Sequence, residues 1–240
     1  MNTRTDRKIR VALIVPSSNT IMENDLHAAL PKSRYSVHTD RMYLIETTRE
    51  KEIEMIEKFA PAAADDLGTT KPDVLVFGCT SAGSLFGLDY DARICRELGE
   101  RAGCRGMGVI SAVSAALERQ QARRLAIITP YNEDLTQSVA KAAESPEREI
   151  VCAYGMGITD NEALAAPTPD EIVAFAKEKL KGHDFDGLFV SCTNFRAYEA
   201  REALEKALGV PVVTSNSAMI DALLALDTQT AGTPQAEAVS

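Results

Sequence analysis

The amino-acid sequence predicts an α/β protein made of two pseudosymmetric βα halves, each a mostly parallel four-stranded sheet flanked by helices. Three observations carry this. Short apolar runs rich in β-branched residues recur along the chain, continuous rather than alternating, as in strands buried on both faces of a parallel sheet. Segments of helical length separate them, which is the pattern of βαβ units. The order of elements is then written twice, with "VFGCTSAG" at 76–83 and "FVSCTNFR" at 189–196 at matching places.

In the first half, "RVALIV" (10–15) is a strand leading into the turn "VPSSNT" (15–20). The run 35–44 is the second strand, and 48–68 is a helix. The third strand, 73–78, ends at Cys79-Thr80, and the fourth, 106–110, closes in the small polar cluster "GVISAVSA" (108–115). The second half repeats this: strand 124–129, turn "TPYNED" (129–134), strand 149–158, helix 168–182, strand 186–191 ending at Cys192-Thr193, and strand 210–215 closing in "PVVTSNSA" (211–218). Helix 168–182 has Thr168 as N-cap, Pro169 at its first position and Gly182 as its stop. The expected halves are 1–117 and 118–226, with a C-terminal helix at 217–227 that can pack on the first half, and a flexible tail over 227–240.

The 240 residues, 45% hydrophobic and 25% charged, have the composition of a globular chain with no membrane span. A net charge of −9 argues against a nucleic-acid partner, which needs a basic face. The polar start "MNTRTDRKIR" has no apolar signal region, so a cytoplasmic location is expected. No glycine-rich phosphate loop occurs, and the five cysteines form no C-x-x-C pair, so neither a nucleotide cofactor, a metal nor a disulfide framework is expected. A homodimer or higher homo-oligomer is the default for a soluble enzyme.

Ligands of open α/β sheets bind outside the carboxyl ends of the strands, so both Cys-Thr turns are expected on the walls of one cleft between the halves. A thiol just ahead of a helix start lies near backbone N–H groups and the positive end of the helix dipole, which favours thiolate. Cys79 and Cys192 are therefore candidates for nucleophile or base, acting on opposite faces of one carbon. Cys95, Cys104 and Cys152 lack that context and read as packing residues. Ser18, Asn19, Thr80, Ser81, Thr193 and Asn194 supply hydroxyls and amides for a carboxylate, or serve as helix caps. Tyr131 is either a ligand-contacting phenol or a surface turn residue. His27, His38 and His183 are scattered and read as structural, and Arg41 and Arg196 as solvated residues flanking the cleft.

Six stretches in order, "VPSSNT", "FGCTS", "TPYN", "GITDNEAL" (157–164), "VSCTN" and "GVPVVTSNSA" (209–218), resemble the aspartate/glutamate racemase superfamily, and within it most closely the maleate cis-trans isomerases, with arylmalonate decarboxylases as near relatives. The resemblance spans about 8–226. It implies an active site between two α/β halves, a small carboxylate substrate and no cofactor. It also implies roles: Cys79 as the nucleophile that adds to maleate, Cys192 as proton donor and acceptor, and Asn19, Tyr131 and Asn161 as ligand contacts. Arylmalonate decarboxylases resemble the chain less, having glycine where Cys79 stands. The "CTS" and "CTN" contexts look closer to amino-acid racemases and racemase-like proteins of ectoine catabolism, which keeps a two-cysteine racemase open as the alternative, ahead of an arylmalonate-type decarboxylase or a non-catalytic binding protein that uses the same cleft.

Overall fold

The computed structural model describes residues 7–231, and the side chains of 7–226. Its first half runs β1 (Ile9–Pro16), α1 (Met22–Ala29), β2 (Tyr35–Met42), α2 (Arg49–Glu54), a π-helical turn (Met55–Phe59), α3 (Ala60–Gly68), β3 (Val74–Phe77), α4 (Thr80–Ser84), α5 (Leu88–Ala102), β4 (Arg105–Gly108) and α6 (Val109–Arg119). The second half runs β5 (Arg124–Thr129), α7 (Glu133–Ala143), β6 (Glu149–Gly155), a 3-10 turn (Ala163–Ala165), α8 (Pro169–Lys179), β7 (Gly187–Val190), α9 (Ala197–Leu208), β8 (Val212–Thr214) and α10 (Ser215–Ala231).

The eight strands form two four-stranded parallel sheets, ordered β2-β1-β3-β4 and β6-β5-β7-β8. The two orders match strand for strand, which is the pseudo-repeat expected from sequence. The inner strands are the most apolar: every residue of β3 and β7 is buried. Among the described residues no helix is long and apolar enough to cross a membrane.

Several boundaries differ from the sequence reading, each for a local reason. The expected strand 106–110 stops at Gly108, because the buried Asp91 carboxylate accepts from the Ser111 N–H (3.2 Å) and hydroxyl and so anchors the first turn of α6. The expected helix 48–68 contains a π turn: the Ala60 N–H reaches Met55 O, five residues back, and Pro61 has no N–H to restore the ordinary ladder. Helix α8 begins as expected, with a full capping box between Thr168 and Glu171, but ends at Lys179, ahead of Gly182. The expected strand 210–215 yields Ser215 to α10, and α10 runs to Ala231, into the segment read as a tail, since no breaker stands before Gly232. Residues 232–240 lie outside the described residues.

Helix α10 follows β8 yet packs against α6 and α1 of the first half. Asn216 Nδ2 donates to Asp25 Oδ2 (2.7 Å), and Tyr35 Oη donates to Leu223 O (3.1 Å). Helix α10 thereby ties the second half to the first.

Candidate active site

The centre of the molecule is built from four strand ends. Strand β3 stops at Phe77, and Gly78 carries the chain past β1 where a Cβ would come within 2.8 Å of both Met22 Sδ and Val15 Cγ1. Only a missing side chain allows that approach, which delivers Cys79 to the N-cap position of α4. Strand β7 ends at the equivalent place, but there Cys192 has φ +99°, rare for a residue with a side chain, and the turn 193–196 separates it from α9. Two bonds hold this conformation: Cys192 N–H donates to Ser215 Oγ (3.0 Å), and Asn194 N–H donates to Cys192 Sγ (3.2 Å).

The same Ser215 Oγ accepts from Thr80 Oγ1 (2.8 Å), so one hydroxyl at the start of α10 ties the two Cys-Thr turns together. Thr193 Oγ1 donates to Gly78 O (2.9 Å) and accepts from Asn19 Nδ2 (3.1 Å). Asn19 Oδ1 meanwhile receives the N–H groups of Ile21 and Met22, both at 3.1 Å, at the start of α1. Asn194 accepts from Thr20 N–H (2.9 Å) and donates to Asn161 O (2.5 Å). Asn161 donates to Ser18 Oγ (2.7 Å) and accepts from Thr47 Oγ1 (3.0 Å). Around them the segments following β2 and β6 strap the halves together, with Thr47 N–H donating to Thr159 O (2.7 Å) and Asn161 N–H to Ile45 O (2.9 Å).

Cys79, Cys192, Ser18, Asn19, Thr80, Ser81, Tyr131, Asn161, Thr193 and Asn194 therefore lie in one polar network inside an otherwise apolar core. Tyr131 is no surface turn residue: it is 1% exposed, and its phenol donates to Cys192 Sγ. Each thiol is only 4% exposed, so the site is closed. Concavities elsewhere, such as one of about 370 Å³ beside Lys141, Glu144 and Cys152, lie away from the thiols.

The protonation state departs from the sequence expectation. Burial pushes the Cys192 thiol up to about 12, although the Tyr131 hydroxyl and Asn194 N–H favour its thiolate. Cys79 is pushed well above the ordinary thiol value, first by burial and then by the charge of Glu52, against the N–H of Ala82 and the Ser81 hydroxyl. Backbone donors do reach the sulfurs, as expected, but removal from water outweighs them. In this state both groups are thiols rather than thiolates.

Glu52 of α2 is a buried carboxyl beside Cys79 that the sequence reading missed. It is fully buried, accepts a short hydrogen bond from Ser81 Oγ, and has its second oxygen, Oε2, without a partner among the described residues. Ser81 Oγ in turn lies 3.7 Å from Cys79 Sγ. The signal was present in the periodicity: the buried residues Met55, Ile56, Ala60, Ala63, Ala64 and Leu67 form one helical stripe, and Glu52 continues it by one turn toward the site. Ser215 lies in the cluster "PVVTSNSA", where nothing local marks its bridge between the two Cys-Thr turns. Arg41 is occupied by Ser17 O (3.1 Å), Asn19 O (2.7 Å) and Glu23 (2.9 Å), and Arg196 by Glu199.

Comparison with known proteins agrees with this fold. Residues 11–237 match the family model described as arylmalonate decarboxylase. A maleate isomerase of Pseudomonas putida is 30% identical over 234 residues, covering 91% of this chain and 92% of its own length. The crystal structure of the maleate isomerase Iso from Pseudomonas putida S16 superimposes with a TM-score of 0.83 at 25% identity, covering 92% of this chain and 94% of the other. A Nocardia farcinica maleate cis-trans isomerase mutant with a covalently bound succinylcysteine intermediate shares the fold, with a TM-score of 0.81 at 22% identity and coverage of 92% and 94%.

Proposed function

Because the chain belongs to the family of maleate isomerases and arylmalonate decarboxylases, and is a cysteine-based isomerase by that kinship, we propose that it converts maleate to fumarate without a cofactor. The observation that supports this best is a thiol at both equivalent strand ends, Cys79 and Cys192, within one closed network. A decarboxylase of the related kind resembles the chain less, since glycine stands there in place of Cys79.

In this reading Cys79 Sγ bonds to one alkene carbon of the dicarboxylate. The π electron pair moves to the neighbouring carbon, which takes a proton from Cys192, and Tyr131 stabilises the thiolate left behind by donating to it. The former double bond is now single and rotates. Cys192 then removes the proton, the C–S bond breaks, and the trans product leaves. Asn19 Nδ2 and Asn161 Nδ2, which donate to Thr193 and Ser18 in the closed site, are the amides from which a substrate carboxylate can take over hydrogen bonds. Excluding water from the site strengthens each of these interactions and protects the adduct.

The alternative, a two-base racemase of an amino-acid-like substrate, needs polar groups beside the thiols to hold an ammonium or amide. Thr80, Thr193 and Asn194 hold that place, bonded to Ser215, Gly78 and Asn161 in the closed site, and solvent deuterium entering the α-position of an acidic amino acid would support this reading over the isomerase.

The test is proton NMR of maleate incubated with reduced protein in deuterated water. A fumarate singlet that is absent with Cys79→Ala supports the reading; maleate left unchanged by the wild-type protein would falsify it.

A further inference from the structure

The mechanism leaves one proton without a destination. Cys79 attacks as sulfur, so its S–H bond must break as the C–S bond forms. Ser81 Oγ is 3.7 Å from Cys79 Sγ and passes its own hydrogen bond to Glu52 Oε1. Glu52 is fully buried, and Oε2 has no partner among the described residues. A carboxyl placed only to stabilise the fold would be expected to satisfy both oxygens.

We propose that Glu52 is the proton reservoir of Cys79, working through the Ser81 hydroxyl. The inference rests on the isomerase reading for its chemistry but not for its test. On attack, the Cys79 proton passes to Ser81 Oγ while the Ser81 proton passes to the Glu52 carboxylate, and the C–S bond forms. On elimination the C–S bond breaks, the sulfur recovers a proton from Ser81, and Ser81 recovers one from Glu52. Nothing is consumed. Glu52 acts through Ser81 and is thus a positioning residue rather than one that touches the substrate.

The surroundings suit that role. Arg49, on the same helix, offers positive charge; Asp134 at the start of α7 offers negative charge; Cys79, Cys192 and Tyr131 face the carboxyl from the strand ends. Burial, the largest influence, pushes Glu52 up to about 8, so its carboxylate, more basic than that of an ordinary glutamate, forms and becomes able to accept a proton as pH rises through that value.

The test reads the thiol directly, independently of any substrate. Iodoacetamide labelling of Cys79 is followed by peptide mass spectrometry as a function of pH, for wild type, Glu52→Gln, Glu52→Asp and Ser81→Ala, each checked for folding by its thermal transition. With the relay, the wild-type rate rises with pH and levels off near the Glu52 value of about 8. Glu52→Gln and Ser81→Ala then label on the order of tenfold or more slowly above that point, and Glu52→Asp recovers part of the loss. Without the relay, Glu52 is only a nearby negative charge that suppresses the thiolate, and Glu52→Gln labels at the wild-type rate or faster. That outcome overturns the proposal. A relay intact in labelling with no conversion of maleate would leave the relay standing and remove only the substrate.

Discussion

Replacing Glu52 by Gln is expected to stabilise the protein, by an amount that depends on pH in a way the structure specifies. The ordinary value of the carboxyl is 4.5, and in the fold burial raises it to about 8, against the opposing effects of the Ser81 hydrogen bond and the Arg49 charge. Below the ordinary value the group is protonated in folded and unfolded chains alike, and its favourable neutral burial is fully retained. As pH rises, the unfolded chain ionises while the folded chain holds its proton, so stability falls throughout the window and levels off above about 8. Each pH unit of that window is worth ~1.4 kcal/mol, so the loss from 4.5 to about 8 comes to about 5 kcal/mol. Gln has nearly the same shape, can accept from Ser81 Oγ through its amide oxygen, and does not ionise. The difference between Glu52→Gln and wild type should therefore be small near pH 5 and grow toward about 5 kcal/mol near pH 9. Asp25 and Asp91, whose burial raises both to about 6, lose stability in the same direction but do so equally in both proteins and cancel in the comparison. Urea unfolding at intervals across this range measures the difference from the transition midpoints and slopes. A constant difference, or a variant that is weaker at high pH, would refute the idea that Glu52 is held neutral by burial.

Two further predictions concern the scaffold. A Cβ on Gly106 would lie 1.7 Å from Cys95 O, where β4 passes against α5, so Gly106→Ala should cost about 3 kcal/mol or more in denaturant unfolding; a loss well under 1 kcal/mol would show that the two elements can separate cheaply. Thr168→Ala removes one half of the capping box at the exposed start of α8, and should cost about 1 kcal/mol with no effect on Cys79 labelling.

The sequence carried the architecture because the relevant signals are local. Continuous β-branched runs, the Pro-containing turns and the doubled Cys-Thr ends are each legible within a few residues, and the repeat makes them reinforce one another. Nine of the ten candidate residues follow from parallel strands pointing their carboxyl ends the same way, which places equivalent turns of the two halves face to face, while Asn161 came from the family resemblance alone. Boundaries were less legible where a distant group intervenes, as Asp91 does at the start of α6.

What only the tertiary structure decided is the electrostatic state of the site. A window of sequence shows backbone donors beside Cys79 and Cys192 and suggests thiolates; the assembled core removes both sulfurs from water and reverses the balance. Glu52 stands in a run of exposed charges in the sequence, and becomes a member of the site only because helix α2 points its last apolar-stripe position at Ser81. Ser215 bridges the two thiol turns only because α10 crosses back over both halves. Desolvation and long-range pairing depend on which segments meet, while chain direction and periodicity do not, so composition and spacing determine the fold and its pair of cysteines, and packing determines where their protons reside.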